Sequence, residues 1–231
     1  MLTGTERDEL PVAAERMDAF FERILGVLSE WQPMLRRDLG DALRAGRLTA
    51  ERIESLIQPA AHEAIDQSFI FGAGFIVDTE VLVGGGSPLA WWQGPEKSRL
   101  ASTSEFADRG YIEYQRLEWF RVPRETRRTH VTGPYVDYLC STELTLTTSM
   151  PLTLDGVFVG VSCIDVLVES LEPALTLASD AAGADVSVVN ADGRVVLSTS
   201  PRWATGDVLP PGSEDLPAAM CRVAPFRVVR H

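Results

Sequence analysis

Residues 141–166 read STELTLTTSMPLTLDGVFVGVSCIDV. Two runs rich in Thr, Val and Leu flank Asp155-Gly156, and an Asp-Gly between apolar runs is the strongest short-range signal for a tight β-hairpin. A second Asp-Gly, Asp192-Gly193, separates ADVSVVN from RVVLSTS and predicts a second hairpin. Residues 225–231, PFRVVRH, supply one more strand. Upstream the period changes. Met17, Phe20, Phe21, Ile24, Leu25 and Leu28 recur at helical spacing, and Trp31 extends the stripe. Pro33 is expected to end that helix or to open the next, which carries Leu35, Leu39 and Leu43. Gly46 closes the second helix, and Thr49 is a candidate N-cap for a third with Ile53, Leu56, Ile57 and Ile65.

From Ser68 the run SFIFGAGFIVDTEVL is β-rich and ends in the Gly84-Gly85-Gly86 turn. A loop-rich stretch with Trp91, Trp92 and Trp119 follows, and residues 166–182 return to a helical pattern. Helices followed by a mostly antiparallel sheet define an α+β fold. The expected organisation is a helical region over 1–67, a sheet-based module over 68–182 and a small β-containing subdomain over 183–231.

Composition excludes several classes. The 231 residues carry 33 acidic and 21 basic side chains, a formal charge of −12, and Lys97 is the single lysine. Such a chain is not a nucleic-acid binder, since phosphate binding is driven by basic residues. No apolar run approaches a membrane span, and MLTGTERDELPV lacks the basic and apolar segments of a secretory signal, so a cytoplasmic protein is expected. Cys140, Cys163 and Cys221 form no CxxC pair, and His62, His130 and His231 are too scattered for metal-ligand spacing, so no metal and no cofactor are expected. No GxSxG, HExxH, Walker or dinucleotide motif is present.

A set of residues in a fixed order carries a resemblance. Tyr111, Arg116 and Trp119-Phe120 are followed by Gly133-Pro134-Tyr135-Val136-Asp137, then by paired strands closing on Gly160-Val161-Ser162-Cys163-Ile164-Asp165. This pattern resembles the Cache (PAS-like) ligand-sensing domains, in particular the double Cache family that binds amino acids and amines. The match covers residues 65–180, and residues 183–207 resemble the start of a second, truncated PAS-like module. In amino-acid-binding members an Arg two residues before the Trp, with the Trp-Tyr pair, holds the ligand carboxylate, and the final Asp holds its ammonium. Here Leu117 occupies that Arg position, with Arg116 one residue earlier, and Phe120 replaces the Tyr. The ammonium end, Asp165, is intact. The resemblance implies a soluble sensor that binds an amine or amino acid without catalysis and signals to a regulatory protein partner; the N-terminal helices, for their part, are expected to pack on a domain or on another copy of the chain as a homodimer.

On physical grounds a cationic metabolite needs a carboxylate for charge pairing and aromatic faces for cation–π contact. Asp165 closes an apolar strand and is either that carboxylate or the N-cap of the following helix. Trp91, Trp92, Trp119, Tyr111, Tyr135 and Phe120 are candidate walls or core residues, and the adjacent Trp91 and Trp92 face opposite sides of a strand, so one of them at most lines a pocket. Arg116 is a ligand donor or a surface residue, and Asp137 touches the ligand or steadies its loop. The cluster Arg121, Arg124, Arg127 and Arg128 with His130 is a site for a phosphate or an acidic partner, or a solvated loop, or in so acidic a chain an internally paired one. Two other functions stand against the sensor: an interaction module with no ligand, and an enzyme using Asp165 or His130 as general base.

Overall fold

The computed structural model describes residues 9–100, 114–136, 143–182 and 184–231. Helix α1 runs Glu9–Arg44 and α2 runs Ala50–Ile65. Strands β1 (Gly72–Val77), β2 (Leu89–Gln93) and β3 (Ser98–Arg99) precede helix α3 (Glu118–Thr126) and β4 (His130–Val136). The predicted hairpin is β5 (Leu144–Leu154) and β6 (Val157–Leu167), followed by α4 (Glu172–Ala182). The last strands are β7 (Val186–Asn190), β8 (Val195–Ser198), β9 (Ala218–Met220) and β10 (Phe226–Arg230). Six strands form one sheet in the order β3-β2-β1-β6-β5-β4 and four form another in the order β8-β7-β10-β9. The fold is α+β, as expected.

Pro33 corrects one expectation. The first two expected helices are a single helix of 36 residues with Pro33 inside it. Proline removes one backbone donor, here that for the Ser29 carbonyl one turn earlier, yet Ser29 and Pro33 both lie on the exposed face, where water serves the freed carbonyl. The apolar stripe Met17, Phe21, Ile24, Leu28, Leu35 and Leu39 is fully buried on both sides of the proline. The helix stops where Gly46 takes φ +61 and its N–H, with that of Arg47, bonds the Leu43 and Ala42 carbonyls. Thr49 caps α2, its side chain accepting the Arg52 N–H. At the β5–β6 turn Asp155 and Gly156 both have positive φ, 49° and 81°, the geometry that makes Asp-Gly a hairpin signal.

The chain forms two compact units. One comprises Leu25–Thr132 and Thr147–Val166; the other comprises the described part of Met1–Ile24 with Gly133–Leu146 and Leu167–His231. In the first unit α2 packs on β1 and β2. In the second, Val189, Val195, Leu209 and Val229 form a buried cluster flanked by Trp203 and Leu216. Phe21 of α1 meets Phe226 of β10 at 5.6 Å between ring centroids. Nearby, the buried Asp18 carboxylate accepts the backbone N–H groups of Arg222 (2.8 and 3.0 Å) and Val223 (2.9 Å), which satisfies the turn before β10. Among the described residues no helix is long and apolar enough to cross a membrane.

Candidate functional site

Strand register decides which candidate side chains meet. In β1, Gly72 pairs with Gln93 of β2 and with Asp165 of β6, while Gly74 pairs with Trp91 and Cys163. Directly paired residues share a sheet face, and residues two apart on a strand do too. Asp165, Cys163, Trp91, Gln93 and both glycines therefore lie on one face. Trp92 pairs with Ala73 and lies on the other, where its ring meets His62 of α2 edge-on at 5.7 Å. Of the two tryptophans, Trp91 shares the face of Asp165.

Asp165 is 2% exposed and sits inside β6. One of its oxygens, Oδ1, accepts a 2.6 Å hydrogen bond from the Thr147 hydroxyl of β5. It caps no helix: the 3-10 turn Val168–Leu171 that precedes α4 has Leu167 at its N-cap. One row along the face, the Cys163 thiol lies 3.2 Å from the Ser149 hydroxyl. Burial pushes the Cys163 thiol well above its ordinary pKa, the Ser149 bond opposes this, and the charge of Asp165 adds to the rise, so Cys163 stays a neutral thiol.

Trp91 occupies the room that the glycines leave. A Cβ at Gly72 would stand 2.7 Å from Cζ2 of the indole, and one at Gly74 would stand 2.9 Å from Cε3. The ring thus lies over the glycine pair, next to the row that holds Asp165, with its Nε1 donating to Gln93 Oε1 at 3.2 Å. A carboxylate and an aromatic ring side by side on a buried sheet face can hold an organic cation by charge and by cation–π contact.

The remaining candidates are placed differently. Trp119 stacks on Tyr114 at 6.3 Å, and Phe120, fully buried, meets Tyr114 and Phe158 edge-on at 5.1 and 5.5 Å. The Tyr114 hydroxyl donates to the Val77 carbonyl, which ties this cluster to the end of β1. Arg116 is exposed beside it. Tyr135 is half-buried on β4 and belongs to the other unit. Tyr111 and Asp137 lie outside the described residues. Two arginines of the basic cluster are internally paired, Arg124 with the buried Asp78 at 3.2 Å and Glu80 at 2.9 Å and Arg121 with Glu125, while Arg127 covers the Phe158 ring. His130 hydrogen-bonds Glu118 at 2.7 Å.

Sequence reasoning missed Thr147, Gly72, Gly74 and Gln93. The alternation Thr145, Thr147, Ser149 and the pair Gly72, Gly74 carried the signal, but only the register brings them to Asp165. A concavity of about 390 Å³ lies in the other unit between α4 and β8. Its hydroxyls are committed to neighbours, Ser179 to Ala184 and Thr199, and Ser198 to Ser187, and its charged group Glu172 is exposed. It holds no buried charge, and Asp165 remains the better site.

No protein-family model and no curated protein matches the sequence. Solved structures do match the fold. The ligand-binding domain of the Pseudomonas fluorescens chemoreceptor CtaA, in complex with L-valine, aligns over 97% of this chain and 93% of its own with TM-score 0.67 and 13% identity. The ligand-binding domain of the Campylobacter jejuni chemoreceptor Tlp3, in complex with 4-methylisoleucine, aligns over 98% and 88% with TM-score 0.66 and 13% identity. An extracellular ligand binding receptor from Desulfohalobium retbaense aligns over 99% of this chain and 40% of its own with TM-score 0.62 and 10% identity. The protein has the α+β Cache-like fold of these ligand-binding domains.

Proposed function

We propose that the protein is a non-catalytic sensor that binds an amine or amino-acid-like metabolite and passes occupancy on by protein–protein contact. The observation that carries this is the buried Asp165 carboxylate, sharing a sheet face with Trp91. A buried carboxylate can hold an ammonium by charge pairing and charge-assisted hydrogen bonding. The amino-acid complexes of the structural relatives support the same class of ligand. The site residues we assign are Asp165 and Trp91, with Trp119, Tyr111, Arg116, Phe120 and Asp137 as further candidates and Trp92 set aside on the helix side of the sheet.

Calorimetric titration with ethanolamine, n-butylamine, putrescine and L-valine tests the proposal. At least one should bind the wild type, and Asp165→Asn should weaken it by roughly 30-fold or more, the usual loss when one partner of a buried charge pair is removed. Binding that ignores Asp165→Asn, or no binding at all, refutes the reading. Consumption of a bound amine would favour the enzyme alternative. The homodimer through the N-terminal helices and the cytoplasmic location belong to the same proposal; sedimentation and cell fractionation check them.

A further inference from the structure

Asp165 does not set its own direction, and the residue across the strand pair bears on it. β5 and β6 are neighbours, and their side chains meet in matched rows: Thr147 with Asp165, Ser149 with Cys163. Thr147 is 3% exposed and Asp165 is 2% exposed, so their 2.6 Å bond is shielded from water. A hydroxyl that donates to an ionised carboxylate makes a short, charge-assisted bond, about twice as strong as a neutral one. Threonine suits the position twice over, since its β-branch restricts χ1 in a strand and thereby holds the hydroxyl in one direction. On the other flank of Asp165 stands Gly72, with the Trp91 ring over it.

We infer that Thr147 is a positioning residue for ligand recognition: its hydroxyl fixes the direction of the Asp165 carboxylate, so that the carboxylate is presented to an organic ammonium beside Trp91. The inference rests on the proposed reading of Asp165 as the ammonium site. Thr147 touches the carboxylate and acts on the ligand through it.

The test is calorimetric titration of the full chain with n-butylamine, putrescine and L-valine at pH 7, for wild type, Thr147→Val, Thr147→Ser, Asp165→Asn and Thr147→Val/Asp165→Asn. Thr147→Val keeps shape and removes the donor. It should weaken the best probe roughly tenfold or more. Thr147→Ser should restore the affinity, and adding Thr147→Val to Asp165→Asn should cost nothing further. A structural role alone would produce neither the rescue nor the coupling. If Asp165→Asn abolishes binding while Thr147→Val leaves affinity unchanged, this inference is overturned and the ammonium reading stands. If no probe binds the wild type, both fall together.

Discussion

Gly72 and Gly74 stand two residues apart on the same strand and face, yet alanine should cost far more at one than at the other. At Gly74 the new Cβ would fall inside the van der Waals sphere of the Ala90 carbonyl oxygen and 2.9 Å from Trp91 Cα. Both obstacles are backbone atoms of β2, held by the β1–β2 pairing. The strands must separate, which adds overpacking strain of about 1–3 kcal/mol to the loss of one or two ladder hydrogen bonds at about 1 kcal/mol each. Gly74→Ala should therefore cost about 2–5 kcal/mol, a large share of the roughly 5–15 kcal/mol that holds a protein folded. At Gly72 the nearest obstacle is Cζ2 of the Trp91 ring at 2.7 Å, the far end of a side chain that can swing. That strain is partly offset by the about 0.4–1 kcal/mol gained when alanine narrows the unfolded ensemble, so Gly72→Ala should stay within about 1 kcal/mol of wild type. Urea unfolding followed by fluorescence compares the two. Equal destabilisation would show that the Trp91 ring is as immovable as the β2 backbone and would refute the distinction. Gly72→Ala should also move Trp91 and shift its emission.

Other expectations are independent of this one. Asp18→Ala leaves the N–H groups of Arg222 and Val223 without their carboxylate and should cost about 2–4 kcal/mol in thermal or urea unfolding. Cys221 is pushed up to about 12, first by burial and then by the Asp18 charge, so labelling at pH 8, read by peptide mass spectrometry, should be slow in the native protein and faster in Asp18→Ala. His231 is held below its ordinary 6.5, first by burial, with Arg202 lowering it and Asp185 opposing. The folded state therefore binds the proton less well than the unfolded one; this contribution to stability is complete above pH 6.5 and is lost as pH falls through the lower, folded value. An NMR titration of the His231 ring with a midpoint at or above 6.5 would contradict this.

The elements were largely legible because their signals are local. Both Asp-Gly turns, the Thr49 cap and the Gly46 stop depend on a few neighbouring residues, and each reads the same in the sequence and in the fold. Pro33 misled because its tolerance depends on which face of α1 it occupies, and that is fixed by packing along the whole stripe. At the site, Asp165 was legible as a carboxylate ending an apolar strand, and the opposed faces of Trp91 and Trp92 followed from strand geometry alone. Which of the two faces held Asp165 did not follow, because β1 lies between β2 and β6 and its register is a long-range property. Thr147 was hidden for the same reason: a threonine in a Thr-rich strand gains its meaning only from the residue across from it. The pairing of Arg124 with Asp78 and Glu80 was likewise beyond local reading, although the acidic surplus made internal pairing the natural expectation.

The Asp18 contact with Arg222 and Val223 joins residues more than 200 positions apart. Long loops are slow to close, and contacts of this sequence separation are among the last to form. During synthesis the unit containing β7–β10 can complete its sheet only when residue 230 has emerged, and its helical partner has by then been waiting since the first turns of α1. Phe21 and Asp18 thus face a long interval without the surface they meet in the fold. The first unit lacks this delay, since its last segment ends at Val166. The protein is accordingly expected to be vectorial in its folding: one unit settles while the other still depends on residues 222–230 not yet made, and removal of those residues should leave the first unit intact while depriving the start of α1 of its partner.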